Sequence, residues 1–192
     1  MNDYLLLFIS AVVVNNFVLT RFLGLCIFFG VSKSLNASVG MGMAVTAVIF
    51  ASSIFSYGVY NFILVPLHLT FLTTIVFVLL IASFVQLLEM IIRKYVPALY
   101  KMWGIYLLLI ATNCVVLAVP LINIESNFSF GKSLVNALGS GVGFALAIVL
   151  MASLREKLRL ADVPKPLEGL GIAFIVAGFL SLSFFGFSGM IK

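Results

Sequence analysis

The sequence predicts an all-α integral membrane protein. Six transmembrane helices form a single membrane domain over residues 1–192, arranged as an inverted 3+3 repeat with broken first and fourth helices. Three observations predict it. Hydrophobic residues make up 64% of the chain and charged residues only 9%, with a mean hydropathy of +1.28, which excludes both a soluble domain and a disordered chain. Apolar runs near the roughly 20 residues that a bilayer requires recur six times along the chain. Polar residues and one cysteine interrupt the first of these runs, and the same combination interrupts the fourth.

The runs are approximately Tyr4 to Val31, Val39 to Tyr60, Leu69 to Ile92, Met102 to Ile122, Leu134 to Leu154 and Gly169 to Ile191. The first is too long for one rod: at about 1.5 Å per residue it would reach about 42 Å, against a hydrocarbon core of about 30 Å. Asn15, Asn16 and Arg21 lie inside it and Gly24 follows, so a break is expected there, where protein or a cavity satisfies the freed backbone. Met1-Asn2-Asp3 lacks the basic start of a secretory signal, so this run is expected to remain as a span. Gly40 and Gly42 on the second run, like Gly139, Gly141 and Gly143 on the fifth, predict close helix contacts. Gln86 and Glu89 close the third run, and Glu89 with Arg93 reads as the i, i+4 pair of a solvated helix end. Thr112, Asn113, Cys114 and Pro120 interrupt the fourth. A mixed-charge loop from Arg155 to Lys165, broken by Pro164 and Pro166, precedes the sixth; it sets topology or docks a cytosolic partner.

Short matches about one hundred residues apart define the repeat. Lys33-Ser34-Leu35 returns as Lys132-Ser133-Leu134, Ala51-Ser52 as Ala152-Ser153, Pro66-Leu67 as Pro166-Leu167, and Asn16 pairs with Asn113. Residues 1–100 and 101–192 are therefore the two copies, and an odd number of spans in each forces opposite orientations. Charge sets the sidedness. With the N-terminus outside, Lys33, Arg93, Lys94, Lys101, Arg155, Lys157, Arg159 and Lys165 fall inside, against Lys132 and Lys192 outside, so both termini are expected outside. Because the basic residues sit in short loops, the net charge of +5 reports topology, and nucleic acid is excluded as a partner.

Cys26 and Cys114 are the two cysteines of the chain. At about 1.5 Å per residue from the inner boundary they lie about 10 Å and about 18 Å deep, within the hydrocarbon layer. Three readings follow: small inert hydrophobes, a disulfide, which the location disfavours, or metal ligands. Zinc and iron-sulfur centres normally take four ligands, so two thiols supply half a site and a second chain must supply the rest. A homodimer or a homologous two-cysteine partner would complete a four-cysteine 2Fe-2S site, with amides freed near Gly24 and Asn113 offsetting its charge. The only histidine, His68, falls in an outer loop, which argues against haem. Asn15, Asn16 and Arg21 mark a possible ion path; Asn15, Asn16 and Asn113 are candidates for a cation or polar substrate, or for satisfying local backbone.

The segments Asn15-Asn16-Phe17-Val18-Leu19, Phe22-Leu23-Gly24-Leu25-Cys26, Gly30-Val31-Ser32-Lys33, Thr112-Asn113-Cys114 and Ala161-Asp162-Val163-Pro164 resemble those of the family of Rnf complex A subunits. The wider family takes in the Rnf E subunits and the D and E subunits of the Na⁺-translocating NADH:quinone reductase, and the resemblance runs from Asp3 to Lys192. It implies a non-autonomous component of an ion-translocating ferredoxin:NAD⁺ oxidoreductase in the bacterial cytoplasmic membrane. It also implies that Cys26 and Cys114, supported by Gly24, Leu25, Thr112 and Asn113, hold half of an intramembrane 2Fe-2S cluster, which the paralogous Rnf E subunit completes. The Rnf B, C, D and G subunits would be further partners, Na⁺ or H⁺ the coupled ion, and the lipid bilayer the solvent. The rival readings are a small inverted-repeat secondary transporter with incidental cysteines, the E subunit of a quinone reductase, and a membrane scaffold.

Overall fold

The computed structural model describes residues 2–66, 72–95, 109–110, 113–159 and 169–189. Every regular element among them is helical. Helix α1 (Asn2–Ile9) widens into a π-helical turn (Ser10–Val14) and gives way to irregular chain before α2 (Leu25–Val31). Helix α3 (Leu35–Val59) also ends in a π-helical turn (Tyr60–Leu64), and α4 covers Thr73–Tyr95. Helices α5 (Cys114–Glu125), α6 (Phe130–Leu158) and α7 (Leu170–Phe185) follow, the last closed by a 3-10 turn at Gly186–Gly189. Among the described residues Leu35–Leu64, Thr73–Ile91 and Phe130–Leu158 are long and apolar enough to cross a membrane, while Asp3–Val14, Cys114–Glu125 and Leu170–Phe185 are shorter apolar helices.

Helices α3 and α6 begin at Leu35 and Phe130, ahead of the apolar runs at Val39 and Leu134. The reason is local: Ser34 and Ser129 are extended, and the helical ladder starts at the next residue whether or not that residue is apolar. Polar first turns therefore belong to these helices, although a hydropathy reading leaves them in loops.

The centre of the bundle is the antiparallel pair α3 and α6. In lipid there is little hydrophobic drive between helices, so close approach of small residues decides which pairs form. A Cβ added to Gly42 would lie 2.8 Å from Ala145 Cβ, and one on Gly141 would lie 2.6 Å from Thr46 Cγ2 and 2.9 Å from Thr46 Cα. Farther along, the rings of Tyr57 and Phe130 approach to 5.2 Å. Helix α5 packs against both members of the pair. On the opposite flank of α6, Gly139 and Gly143 admit α1 and its π turn, with Cβ positions 2.8 Å from Ala11 Cβ and 3.0 Å from the Val12 carbonyl. Phe28, Phe77, Phe144, Ile49, Ile148 and Met151 fill the interior, while Leu79, Phe179 and Leu182 point outward, as apolar side chains do where the solvent is lipid.

Gly141→Val is expected to force α3 from α6 and cost about 1–3 kcal/mol, the range for overpacking. Gly58→Ala on the same pair, where nothing lies within 4 Å of the added Cβ, is expected to be neutral or to gain up to about 1 kcal/mol of helix propensity. Thermal unfolding of the two variants in detergent checks both signs.

Candidate functional site

Two interruptions of the helical chain meet inside the bundle. The first begins where the π turn closes, with the Asn15 amide donating to the Ser10 carbonyl (2.7 Å) and Asn15 Nδ2 to Ser10 Oγ (3.1 Å). Asn16, 1% exposed, then organises the non-helical stretch. Its Nδ2 donates to the carbonyls of Val12 (3.2 Å) and Gly143 (2.7 Å), and its Oδ1 accepts from the amides of Val18 (3.1 Å) and Leu19 (3.4 Å). Thr20 Oγ1 donates to the Asn16 carbonyl (2.7 Å), and Ser181 Oγ reaches from α7 to the Leu19 carbonyl (2.6 Å). Freed backbone groups in an apolar interior need such partners, and a short amide side chain supplies both polarities.

Arg21 is exposed, with its guanidinium 5.6 Å from the Phe17 ring centroid. The chain then turns through Phe22 (φ 54°) and Gly24 (φ 77°), left-handed positions that cost an L side chain about 1–2 kcal/mol. From Gly24 the chain enters α2, the Phe28 amide donating to the Gly24 carbonyl (3.1 Å). Leu25 is half-buried against the core, and Cys26, in the first turn, is free and exposed. The far end of α2 is held from α6: Arg155 Nη1 donates to the Phe29 carbonyl and to Ser32 Oγ, both at 2.9 Å, a favourable place for a cation against the C-terminal helix dipole.

The second interruption is shorter. Leu109 and Ile110 are helical, Asn113 is extended (φ −74°, ψ 117°), and its Oδ1 accepts from the Val115 amide (3.1 Å), capping α5. Cys114 is the first residue of α5 and is also free and exposed. The two interruptions touch directly. A Cβ on Gly24 would lie 2.8 Å from Asn113 Oδ1, 2.9 Å from Val115 Cγ2 and 3.2 Å from the Phe144 ring, so only glycine lets the backbone come this close.

Each cysteine thus begins a helix beside the Gly24–Asn113 contact, on residues open to the outside of the bundle. Thr112 and His68 lie outside the described residues, as does the loop portion Ala161 to Lys165. No group of three or more His, Cys, Asp or Glu side chains gathers among the described residues, so a centre built on these thiols takes its other ligands from elsewhere. Sequence reasoning missed two features. One is the Arg155 anchor on α2. The other is a buried polar network in which Asn136 Nδ2 donates to Asn123 Oδ1 (2.6 Å) and Asn123 Nδ2 to the Ser133 carbonyl (3.3 Å). Ser133, Asn136 and Ser140 recur at i, i+3 and i+7, one helical face, and that periodicity was the available signal.

Asn16→Ala would orphan two buried amides and break the link to Gly143, so a loss of about 2–4 kcal/mol is expected. A melt of the purified protein checks it, with Asn15→Ala, at an exposed position, as the near-neutral comparison.

Comparison with known proteins gives a consistent result. Residues 4–191 match the Rnf-Nqr family profile, described as an Rnf-Nqr subunit, membrane protein. The chain is 78% identical over 192 residues, all of both chains, to the A subunit of the proton-translocating ferredoxin:NAD(+) oxidoreductase complex of Clostridium ljungdahlii. It is 53% and 50% identical, again over the full length of both chains, to the A subunits of the ion-translocating oxidoreductase complexes of Cronobacter sakazakii and Vibrio vulnificus. With its apolar helices and a match across nearly its whole length, the chain is a multi-pass membrane protein and belongs to the Rnf-Nqr family.

Proposed function

We propose that this chain is the electron-carrying membrane component of an ion-translocating ferredoxin:NAD⁺ oxidoreductase, and that Cys26 and Cys114 hold half of a 2Fe-2S cluster completed by two cysteines of a paralogous chain. The relatives' names support the complex. The observation that carries the site is that both thiols are free and exposed at helix starts adjoining one contact, the Gly24 backbone against the Asn113 side chain. That donor set fits the group: two thiolates from one chain leave two positions for another, and exposure of both gives a second chain access. Bound there, the cluster supplies a one-electron relay through the low-dielectric interior.

The chain's own residues do the rest. Asn16 and Asn113 hold the two non-helical stretches, Gly24 keeps them in contact, and Arg155 fixes the helix that carries Cys26. Cys114 stands at the positive end of the α5 helix dipole, which offsets negative charge there. In this reading the spans form two inverted sets of three with both termini outside, in the bacterial cytoplasmic membrane. Electron passage is coupled to Na⁺ or H⁺ movement by rearrangement of the two broken spans, alongside the Rnf B, C, D, E and G subunits. Iron analysis and electron paramagnetic resonance of the dithionite-reduced purified complex test the reading. A 2Fe-2S signal assigned to this chain and its paralogue is expected; an iron-free pair in a complex that still moves ions would instead identify a secondary transporter with incidental cysteines.

A further inference from the structure

Among the described residues, five buried side-chain atoms have no hydrogen-bond partner: Ser53 Oγ, Ser56 Oγ, Ser133 Oγ, Ser140 Oγ and Asn113 Nδ2. Their residues are at most 3% exposed. A hydroxyl in a helix ordinarily turns back to the carbonyl four residues earlier, as those of Thr46, Ser83 and Ser153 do here. These four serines do not. Close packing between membrane helices explains small residues at such places, but alanine packs as closely and leaves nothing unpaired.

The five atoms lie on α3, α6 and the residue that caps α5, and these three helices pack against one another. Gly42 faces Ala145, Gly141 faces Thr46 and Tyr57 meets Phe130, which puts Ser53 and Ser56 of α3 at the level of residues 134 and 131 of α6, beside Ser133. At 3.6 residues per turn, Ser53 faces α6, while Ser56, Ser133 and Ser140 turn toward the groove that α5 fills. Asn123 of α5 supports that placement through its bonds to Asn136 and the Ser133 carbonyl. At the other end of α5, Asn113 sits against Gly24, which also meets Phe144. From Ser133 to Phe144 is about 16 Å of helix, roughly half of a 30 Å hydrocarbon core. The seam therefore runs from the α5–α6 turn to the meeting of the two interruptions, where the cysteines are.

We propose that this seam is a hydrated half-path by which the translocated monovalent cation reaches the cysteine-bearing interruptions from the side of the α5–α6 turn. Buried water occupies places where several polar groups lack partners, and intramembrane polar groups mark ion routes. Among the described residues the buried polar side chains are all Ser and Asn, so the path offers neutral oxygens. These solvate a sodium ion or support a chain of water that relays a proton, with no buried charge among them to trap either. The inference deepens the reading above and rests on it for what is moved, though not for the wetness of the seam.

The test uses the intact complex in vesicles. Ser140→Cys is compared with Leu138→Cys and Val142→Cys, whose positions on the same helix are 40% and 39% exposed on the bundle's outer surface. A charged, water-soluble thiol reagent is added from either side, and labelling is read peptide by peptide so that Cys26 and Cys114 are scored separately. S140C is expected to label at least tenfold faster than the other two, and only from the side of the α5–α6 turn. Labelling as slow as theirs would overturn the proposal. In Ser56→Ala/Ser133→Ala/Ser140→Ala, the ratio of ions moved to electrons transferred is expected to fall at least fivefold. Loss of proton movement in sodium-free medium identifies the proton, loss of sodium uptake identifies sodium, and an unchanged ratio overturns the path. Should that variant fail to assemble, the labelling result alone decides. Iron measured on the same samples separates a failure of the cluster reading from a failure of the seam.

Discussion

Cys26→Ser and Cys114→Ser, made singly, are each expected to remove the paramagnetic signal of the reduced 2Fe-2S centre, lower the iron of the complex by one cluster's worth, and abolish ferredoxin-dependent NAD⁺ reduction. Both thiols are exposed and free, so their packing contribution is small. The serine variants are expected to fold within about 0.5 kcal/mol of the parent, as exposed substitutions do. Loss of signal with preserved assembly therefore reports ligation. Parental electron flow in both variants would leave the cysteines as bystanders and the chain as a scaffold or transporter.

Gly24→Ala is expected to have the largest effect of any substitution that leaves the cysteines untouched. The new Cβ meets a left-handed backbone (φ 77°) and two atoms closer than 3.0 Å, Asn113 Oδ1 and Val115 Cγ2. Neither neighbour can give easily: Asn113 Oδ1 caps α5 through the Val115 amide, and Val115 is fully buried. Strain of about 1–2 kcal/mol from the backbone and about 1–3 from overpacking gives a cost of about 2–5 kcal/mol. Relief requires moving the start of α2 away from the start of α5, and so Cys26 away from Cys114. Iron retention per assembled complex is expected to drop with both thiols present, whereas Gly30→Ala, with open space around its Cβ, retains it.

The helical, membrane-embedded character was legible because it rests on composition and run length, which survive any tertiary arrangement. The interruption of the first run was legible for a similar reason, since Asn15, Asn16 and Gly24 have no local place in a continuous apolar helix. The alternation Gly139, Gly141, Gly143 also carried information: at 3.6 residues per turn the outer two share a face and the middle one opposes them. They do admit different neighbours, α1 and its π turn on one side and Thr46 on the other. What was not legible depends on contacts distant in sequence. The bond from the Asn16 side-chain amide to the Gly143 carbonyl, 127 residues away, joins two elements that no local pattern pairs. The same holds for Arg155, whose guanidinium lies on the end of α2, 126 residues from Phe29 and 123 from Ser32. Each serine of α3 and α6 is by itself an ordinary small residue in the sequence; only the antiparallel register of the two helices gathers them.

A density map of the complete complex at side-chain detail is the most direct measurement. The expected result is one compact metal-sulfur density bridging the Sγ atoms of Cys26 and Cys114 to two cysteines of a paralogous neighbour, beside the Gly24–Asn113 contact. Either sulfur facing lipid, or the two separated with ordinary protein packing between them, would contradict it.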